Sequence, residues 1–369
     1  LYAHAHLLGF FSIFNPGQVA SFELSKTGGG RIETAMQPAT VIVQSREETG
    51  VRWGVEGDLG IIASQATVTA PLGRRAALFL SGRRSYTGWL IGALSPKGDD
   101  DLHYRLQDYD ATLAWQLDGR NKLTINSHYG DDHTRIAYND GLLGGRLRWY
   151  AGVWSATLRS ELSTTTHMEN ALYYSRLDTR LTASTTGIAA EAPSSIGDLG
   201  YKHSTRWRIG RLQLATGLQY AYRRIHPQHI ASDYGGVAAA ERGPRYDTHE
   251  LAPFVAATIP LAHNLTCDAA LRYGFYFLQG DGSIASYRHG APQPSLTFDW
   301  LVARGSRLRA SYNYTTQYIH KVPSSNISFA TDFWMAPTRR TPPQRTHHAA
   351  VGYFAEAADG RLNFSAEAY

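Results

Sequence analysis

The sequence predicts an all-β fold, an antiparallel transmembrane β-barrel, and three observations carry that prediction. The dominant hydrophobic period is two rather than 3.6. The alternating runs are joined by connections that are in turn short and long. The aromatic complement is heavy, with 22 Tyr and 8 Trp, residues that suit a surface apolar in its middle and wet at its ends.

Tyr109, Ala111, Leu113, Trp115 and Leu117 share one face of a run, and Asp108, Asp110, Thr112, Ala114 and Gln116 the other. After Asp118-Gly119-Arg120, Leu123, Ile125 and Tyr129 alternate with Lys122, Thr124, Asn126 and His128. Two alternating runs around a short glycine turn make a β-hairpin. The same alternation recurs at Leu212–Tyr222, Leu265–Phe275 and Leu308–Tyr314, and about fifteen such runs follow Val51.

Short connections stand at Pro71-Leu72-Gly73, Asp118-Gly119, Gly210, Ala262-His263-Asn264, Arg304-Gly305 and Asp359-Gly360. Longer polar ones stand near 92–103, 130–146, 186–197, 226–247, 279–290 and 320–346. Short turns at one end and long loops at the other describe an outer-membrane barrel with periplasmic turns and extracellular loops. A β-sandwich would seldom place so many tyrosines on its core face. A propeller has a similar hairpin spacing but would carry a blade signature, which is missing here.

Residues 1–50 read differently. Leu7–Phe11 and Phe14 are apolar without clean alternation, and Thr40-Val41-Ile42-Val43 is a β-branched run expected to be a strand buried on both faces. This stretch reads as part of a small folded domain ending near Gly50, with a partial barrel over 51–369.

No run of 18 apolar residues exists, which excludes a helical membrane span. The net charge of +5 is spread among carboxylates, so no nucleic-acid footprint arises. The single cysteine, Cys267, rules out a disulfide framework and a multi-cysteine metal site. Leu1 opens no export signal, so the chain is expected to be a fragment.

The stretch His6–Asn15, then Phe22–Lys26 and Thr40–Arg46, resembles the late plug of TonB-dependent receptors common in Bacteroidetes. Leu59–Ser64 resembles the first barrel hairpin of that family and Phe79–Tyr86 its third strand. Ala270–Tyr273, Tyr312–His320, Pro343-Gln344 and Gly352–Phe354 are similar to its mid-barrel. Glu33–Gln37 departs from a glycine-rich plug tract of the family. The resemblance implies the C-terminal part of a plug over 1–50 and about fifteen strands of a barrel of about 22. Such a partial ring should leave two open edges. It also implies an outer-membrane receptor importing a scarce ligand, such as a ferric siderophore or an oligosaccharide. Its partners would be membrane lipid, lipopolysaccharide and, through a further N-terminal segment, the TonB energy-coupling complex. A passive porin-like or adhesin-like barrel and a soluble all-β module or enzyme are the rival classes.

No nucleophile elbow, phosphate loop or HExxH motif appears, so no catalytic residue, cofactor or metal is expected. His4 and His6, or His347 and His348, lack companion ligands; neighbours such as His347 and His348 point to opposite faces of a strand. Candidate ligand contacts on the long loops are Trp89, Asp131, Asp132, His133, Tyr138, Tyr234 and Trp334. Arg83 and Arg84 are adjacent on a strand, so one of them faces the lumen; Arg83 would there meet Glu47 or Glu48 of the plug, the alternative being a rim arginine on lipopolysaccharide phosphates.

Overall fold

The computed structural model describes residues 2, 6, 11–25, 40–86, 101–138, 143–186, 188–234, 237–239, 243–280, 284–323, 332–357 and 362–369. Two strands precede the wall, β1 (Val19–Ser25) and β2 (Thr40–Ser45), paired with each other. The wall opens with β3 (Gly54–Leu59), β4 (Ala63–Pro71) and β5 (Ala76–Ser85). After β6 (Asp101–Gln116) comes its tallest part, β7 (Asn121–Tyr138), β8 (Leu143–Ser163), β9 (Thr166–Thr185) and β10 (Ile188–Ile209). After β11 (Leu212–His226) comes a short ribbon, β12 (Ala231–Tyr234) and β13 (Val237–Ala239). Then follow β14 (Tyr246–Pro260), β15 (Leu265–Gln279), β16 (Tyr287–Ala303) and β17 (Ser306–Gln317). A second ribbon, β18 (His320–Val322) with β19 (Phe333–Met335), precedes β20 (Gln344–Ala357) and β21 (Leu362–Ala368).

Setting the two ribbons and the β1–β2 pair aside, fifteen wall strands form one antiparallel sheet that curls round as a barrel. The two open edges expected from the sequence are β3 and β21, the first and last wall strands: no pairing register joins them among the described residues, and both are exposed almost throughout.

The short turns fall at one end, as the sequence reading had them. Gly73, Gly210 and Gly305 adopt φ of 85°, 61° and 75° there, the left-handed region that a Cβ disfavours. The opposite end departs from the reading. Residues 130–138 and 143–146 continue β7 and β8, and 188–197 begin β10. A strand of 9–11 residues crosses a bilayer, whereas β8 has 21 residues and β10 has 22. Polar residues on both faces hid these extensions, since backbone pairing continues where the apolar stripe stops.

The two faces separate by parity. Tyr109 and Trp115 point outward and are 52% and 45% exposed, while Asp108 between the inward Leu106 and Ala114 is fully buried. The apolar stripe is therefore the outside of the ring. No described helix is long and apolar enough to cross a membrane, which says nothing of strands. β2 differs from its expected burial on both faces: among the described residues it pairs with β1 alone, and Val41 is 54% exposed.

Leu123 lies between Trp115 and Leu158 on the outward face. Leu123→Arg should destabilise the barrel by about 2–4 kcal/mol near a bilayer midplane, read from urea titration of folded protein in liposomes. A spin label at Leu123 should report a lipid environment.

Candidate functional site: the filled lumen

The described part of residues 2–51 touches inward-facing residues on many wall strands, which only a segment inside the ring can do. Asn15 caps a 3-10 turn at Pro16–Gln18 by accepting from Gly17 N at 3.0 Å. A Cβ on Gly17 would come 2.0 Å from Thr67 Oγ1, so the turn and β4 touch through the glycine. Ile13, 1% exposed, packs in one cluster with Trp149, Leu177, Ile196, Ile225 and Leu278. Val51 packs on Ala77, Phe79 and Ala114 nearer the short-turn end.

Three polar anchors accompany this packing. In the first, His6 Nδ1 lies 2.8 Å from Asp132 Oδ1 and Nε2 3.1 Å from Asp108 Oδ2. Arg83 donates to Asp108 Oδ2 through Nε and Nη2, each at 2.7 Å, and to the Ser12 carbonyl at 2.6 Å. Its guanidinium also lies 5.3 Å from the Phe11 ring centroid. Two carboxylates against one guanidinium leave one negative charge in a dry place. A proton on His6 neutralises it and gives each carboxylate a donor. Burial alone would lower the His6 pKa, but hydrogen bonds to Asp108 and Asp132 outweigh burial and raise it above 6.5.

The second anchor is Glu47. It accepts from Thr124 at 3.0 Å and from Arg159, with Lys122 at 3.6 Å. Burial would raise its pKa, but Arg159 and Lys122 hold it below 4.5. In the third, Tyr2 donates to Asp198 at 2.7 Å, and Asp198 leads to Arg223, Glu250 and Arg272 on successive strands.

Residues 52–369 match the family model described as TonB dependent receptor-like, beta-barrel. The chain belongs to the TonB-dependent receptor family. This is a family of receptors and transporters rather than enzymes. Among curated protein sequences none matches the receptor chain.

Solved structures share its fold. The copper transporter OprC is 13% identical with a TM-score of 0.67, over 95% of this chain and 58% of that one. The ferric preacinetobactin receptor BauA from Acinetobacter baumannii is 11% identical with a TM-score of 0.64, over 94% and 59%. The alcaligin outer-membrane receptor FauA from Bordetella pertussis is 15% identical with a TM-score of 0.59, over 89% and 53%. The receptor chain thus spans a little over half the length of these relatives. A folded plug domain is not evident among its described residues.

The expected site residues are scattered. Trp89 lies outside the described residues, and of Tyr138 and Tyr234 only the backbone, ending β7 and β12, is described. Asp131, Asp132 and His133 are strand rather than loop residues, and successive strand residues face opposite ways. Asp132 is inside, fully buried against His6. Asp131 is outside, 3.0 Å from Arg148, and His133 shares that outer face. Trp334 reaches into the mouth on β19 and meets Tyr2 edge-on at 5.3 Å. Arg83 does face the lumen, but its carboxylate is Asp108, and Glu47 meets Arg159 instead. Glu48 lies 3.9 Å from Arg46. Sequence reasoning passed over His6, Asp108, Arg159 and Asp198. Their signal was a charge on the stripe opposite the apolar one, as with Asp108 beside Tyr109. Among the described residues no group of His, Cys, Asp or Glu is placed to hold a metal.

Two predictions follow from the anchors. His6 has a raised folded pKa, so its stabilisation is complete below about 6.5 and is lost as pH climbs through the raised value. Glu47 has a lowered one, so its stabilisation is complete above about 4.5 and is lost as pH falls. A spin label at Ser21 should be least mobile between these limits, and His6→Gln should abolish the alkaline limb alone. Arg83→Leu leaves the buried Asp108 and Asp132 against the single His6 proton and should cost about 3–5 kcal/mol in equilibrium unfolding.

Proposed function

We propose that the chain is the barrel-bearing part of an outer-membrane receptor that imports a scarce ligand into the periplasm by TonB-dependent transport. The observation that carries this reading is the N-terminal segment held inside the ring by three polar anchors and by Ile13. A ring filled by its own chain restricts passive flux, so entry requires work on the segment that fills it.

On this reading residues 1–50 are the C-terminal part of the plug and 51–369 belong to the barrel. The apolar outer face sits in the outer membrane, with the short turns in the periplasm. Ligand arrives at the tall end, where Trp334, Tyr2 and Tyr287 each pack against the Ile13 cluster. Aromatic faces at that depth suit a small chelate or an oligosaccharide. Several structural neighbours are by name receptors for ferric siderophores, and one is a copper transporter; a chelated metal is the first ligand class to test. Trp89, Tyr138 and Tyr234 are carried forward as rim contacts. The energy-coupling partner would act through a more N-terminal segment.

The test uses the full-length receptor in planar bilayers and in cells. Deleting residues 1–50 should raise passive conductance and free ligand uptake from the proton motive force. An intact protein that conducts like an open porin would replace this reading with the passive-barrel one.

A further inference from the structure

Two adjacent wall strands part company near the mouth. β16 keeps its register with β15 from Leu278↔Tyr287 down to Leu265↔Trp300, but its register with β17 begins only at Ser295↔Asn313. β17 meanwhile pairs with β20 as far as Gln317↔Gln344. Residues 287–294 are thus unpaired on the β17 side among the described residues. The sequence writes this slot, because Pro292 and Pro294 carry no backbone N–H to donate across it. Beyond the slot the chain leaves the wall at Tyr318 and crosses the mouth as the β18–β19 ribbon. β19 lies against β10 and β11, Trp334 meets Tyr2, and Ala336 is fully buried.

One chain of hydrogen bonds spans the slot and holds the near end of the ribbon. Arg345 on β20 lies 3.2 Å from His289 Nε2, His289 Nδ1 lies 3.2 Å from the Tyr318 hydroxyl, and that hydroxyl donates to the Gly274 carbonyl at 3.1 Å. A guanidinium only donates, so Nε2 must accept and the single imidazole proton sits on Nδ1. The Tyr318 ring stacks on Tyr276, with centroids 5.0 Å apart and planes 4° from parallel. It sits where a Cβ on Gly274 would come 2.8 Å from Tyr318 Cε2, so the glycine is its seat. Tyr276 donates to the Pro337 carbonyl at 3.0 Å, which ties the returning end of the ribbon to the same ring. The chain of bonds holds only while His289 is neutral.

A charged His289 would meet repulsion and no counter-ion. It faces Arg345 from β20, Tyr276 from β15, Tyr318 at the root of the ribbon and Tyr287 from its own strand, and it lines one groove with Arg288 and with His249 of β14. No carboxylate pairs with it among the described residues. Glu250 is held by Arg223 and Arg272 at 2.7 and 2.9 Å, and Asp332 by Lys321 at 3.1 Å. A bilayer crossing of about 9–11 residues counted from Ala303 ends near Gln293, so His289 stands above it. Burial, and then the Arg345 charge, hold its pKa below 6.5. Its contribution is therefore complete above about 6.5 and is lost as pH falls through the lowered value. We propose that the β18–β19 ribbon is an acid-released strap over the lumen, latched across the slot by Arg345, His289 and Tyr318. Acid slackens this strap while it tightens the His6 anchor, so the two imidazoles act on the mouth and on the filling in opposite senses.

The experiment is a distance measurement on the full chain in detergent, with nitroxides at Val322 on the ribbon and Thr185 at the rim of β9, in a Cys267→Ala background. The released population should be about tenfold larger at about pH 5 than at about pH 7.5. His289→Gln, whose amide accepts from Arg345 and donates to Tyr318 without titrating, should stay latched at both. Gly274→Ala should push Tyr318 off its seat and release the strap at both, with circular dichroism reporting an intact sheet. A pH response that survives in His289→Gln overturns the latch. So does a wild type with the same distance at both pH values, or a folded Gly274→Ala chain that stays latched. Tyr318→Phe keeps the ring and loses the hydroxyl, which serves if Gly274→Ala does not fold. It should abolish the pH dependence, and a dependence equal to that of the wild type overturns the proposal.

Discussion

Everything in this molecule depends on each strand finding its backbone partners in its neighbours. In a medium without water an unpaired amide or carbonyl costs several kcal/mol, so the sheet curls toward a ring. That curvature then fixes the rest. Alternate residues must face a solvent on one side and an enclosed space on the other, which is why the sequence has a period of two. Turns must reverse the chain within a few residues, which is why glycine stands at 73, 210 and 305 with positive φ.

The same curvature creates a lumen, and the lumen has its own physics. Its lining carries Asp108, Asp132, Asp198 and Glu250 on β6, β7, β10 and β14, too many negative charges to enclose unpaired. The wall supplies Arg83, Arg159, Arg223 and Arg272 in answer. The N-terminal segment supplies what the wall lacks: the His6 proton, the Ser12 carbonyl, the Glu47 carboxylate and the Tyr2 hydroxyl. Segment and wall therefore complete one another's hydrogen bonding, and Ile13 adds the apolar contact. Such anchors can be both firm and releasable, since each is a few directional bonds rather than a broad greasy face.

The wall was largely legible in the sequence because lipid imposes its rule on every second residue. Tyr109–Leu117, Leu212–Tyr222 and Leu265–Phe275 all fall where alternation put them. The rule fails where lipid ends. Residues 130–138 and 188–197 were read as loops because Asp131, Asp132 and Glu191 break the stripe, yet the ladder runs on through them. The anchors were harder still. His6 was set aside as one half of a lone His pair, and its partners lie more than a hundred residues away in Asp108 and Asp132. Pairings at that separation depend on how the segment threads the ring, and a single sequence holds no local trace of the threading. Thr40–Val43 shows the opposite failure: β-branched residues signal a strand, but whether both faces are covered depends on what lies beside it.

The heights of the strands are unequal around the ring. β8, β9 and β10 have 21, 20 and 22 residues, while β3, β4 and β5 have 6, 9 and 10. Among the described residues the ladder is thus tall on one side of the barrel and short on the other. On the receptor reading proposed above, a bulky visitor would lean on that palisade with its weight over the opening, and a neighbour packed against the tall side would leave entry free.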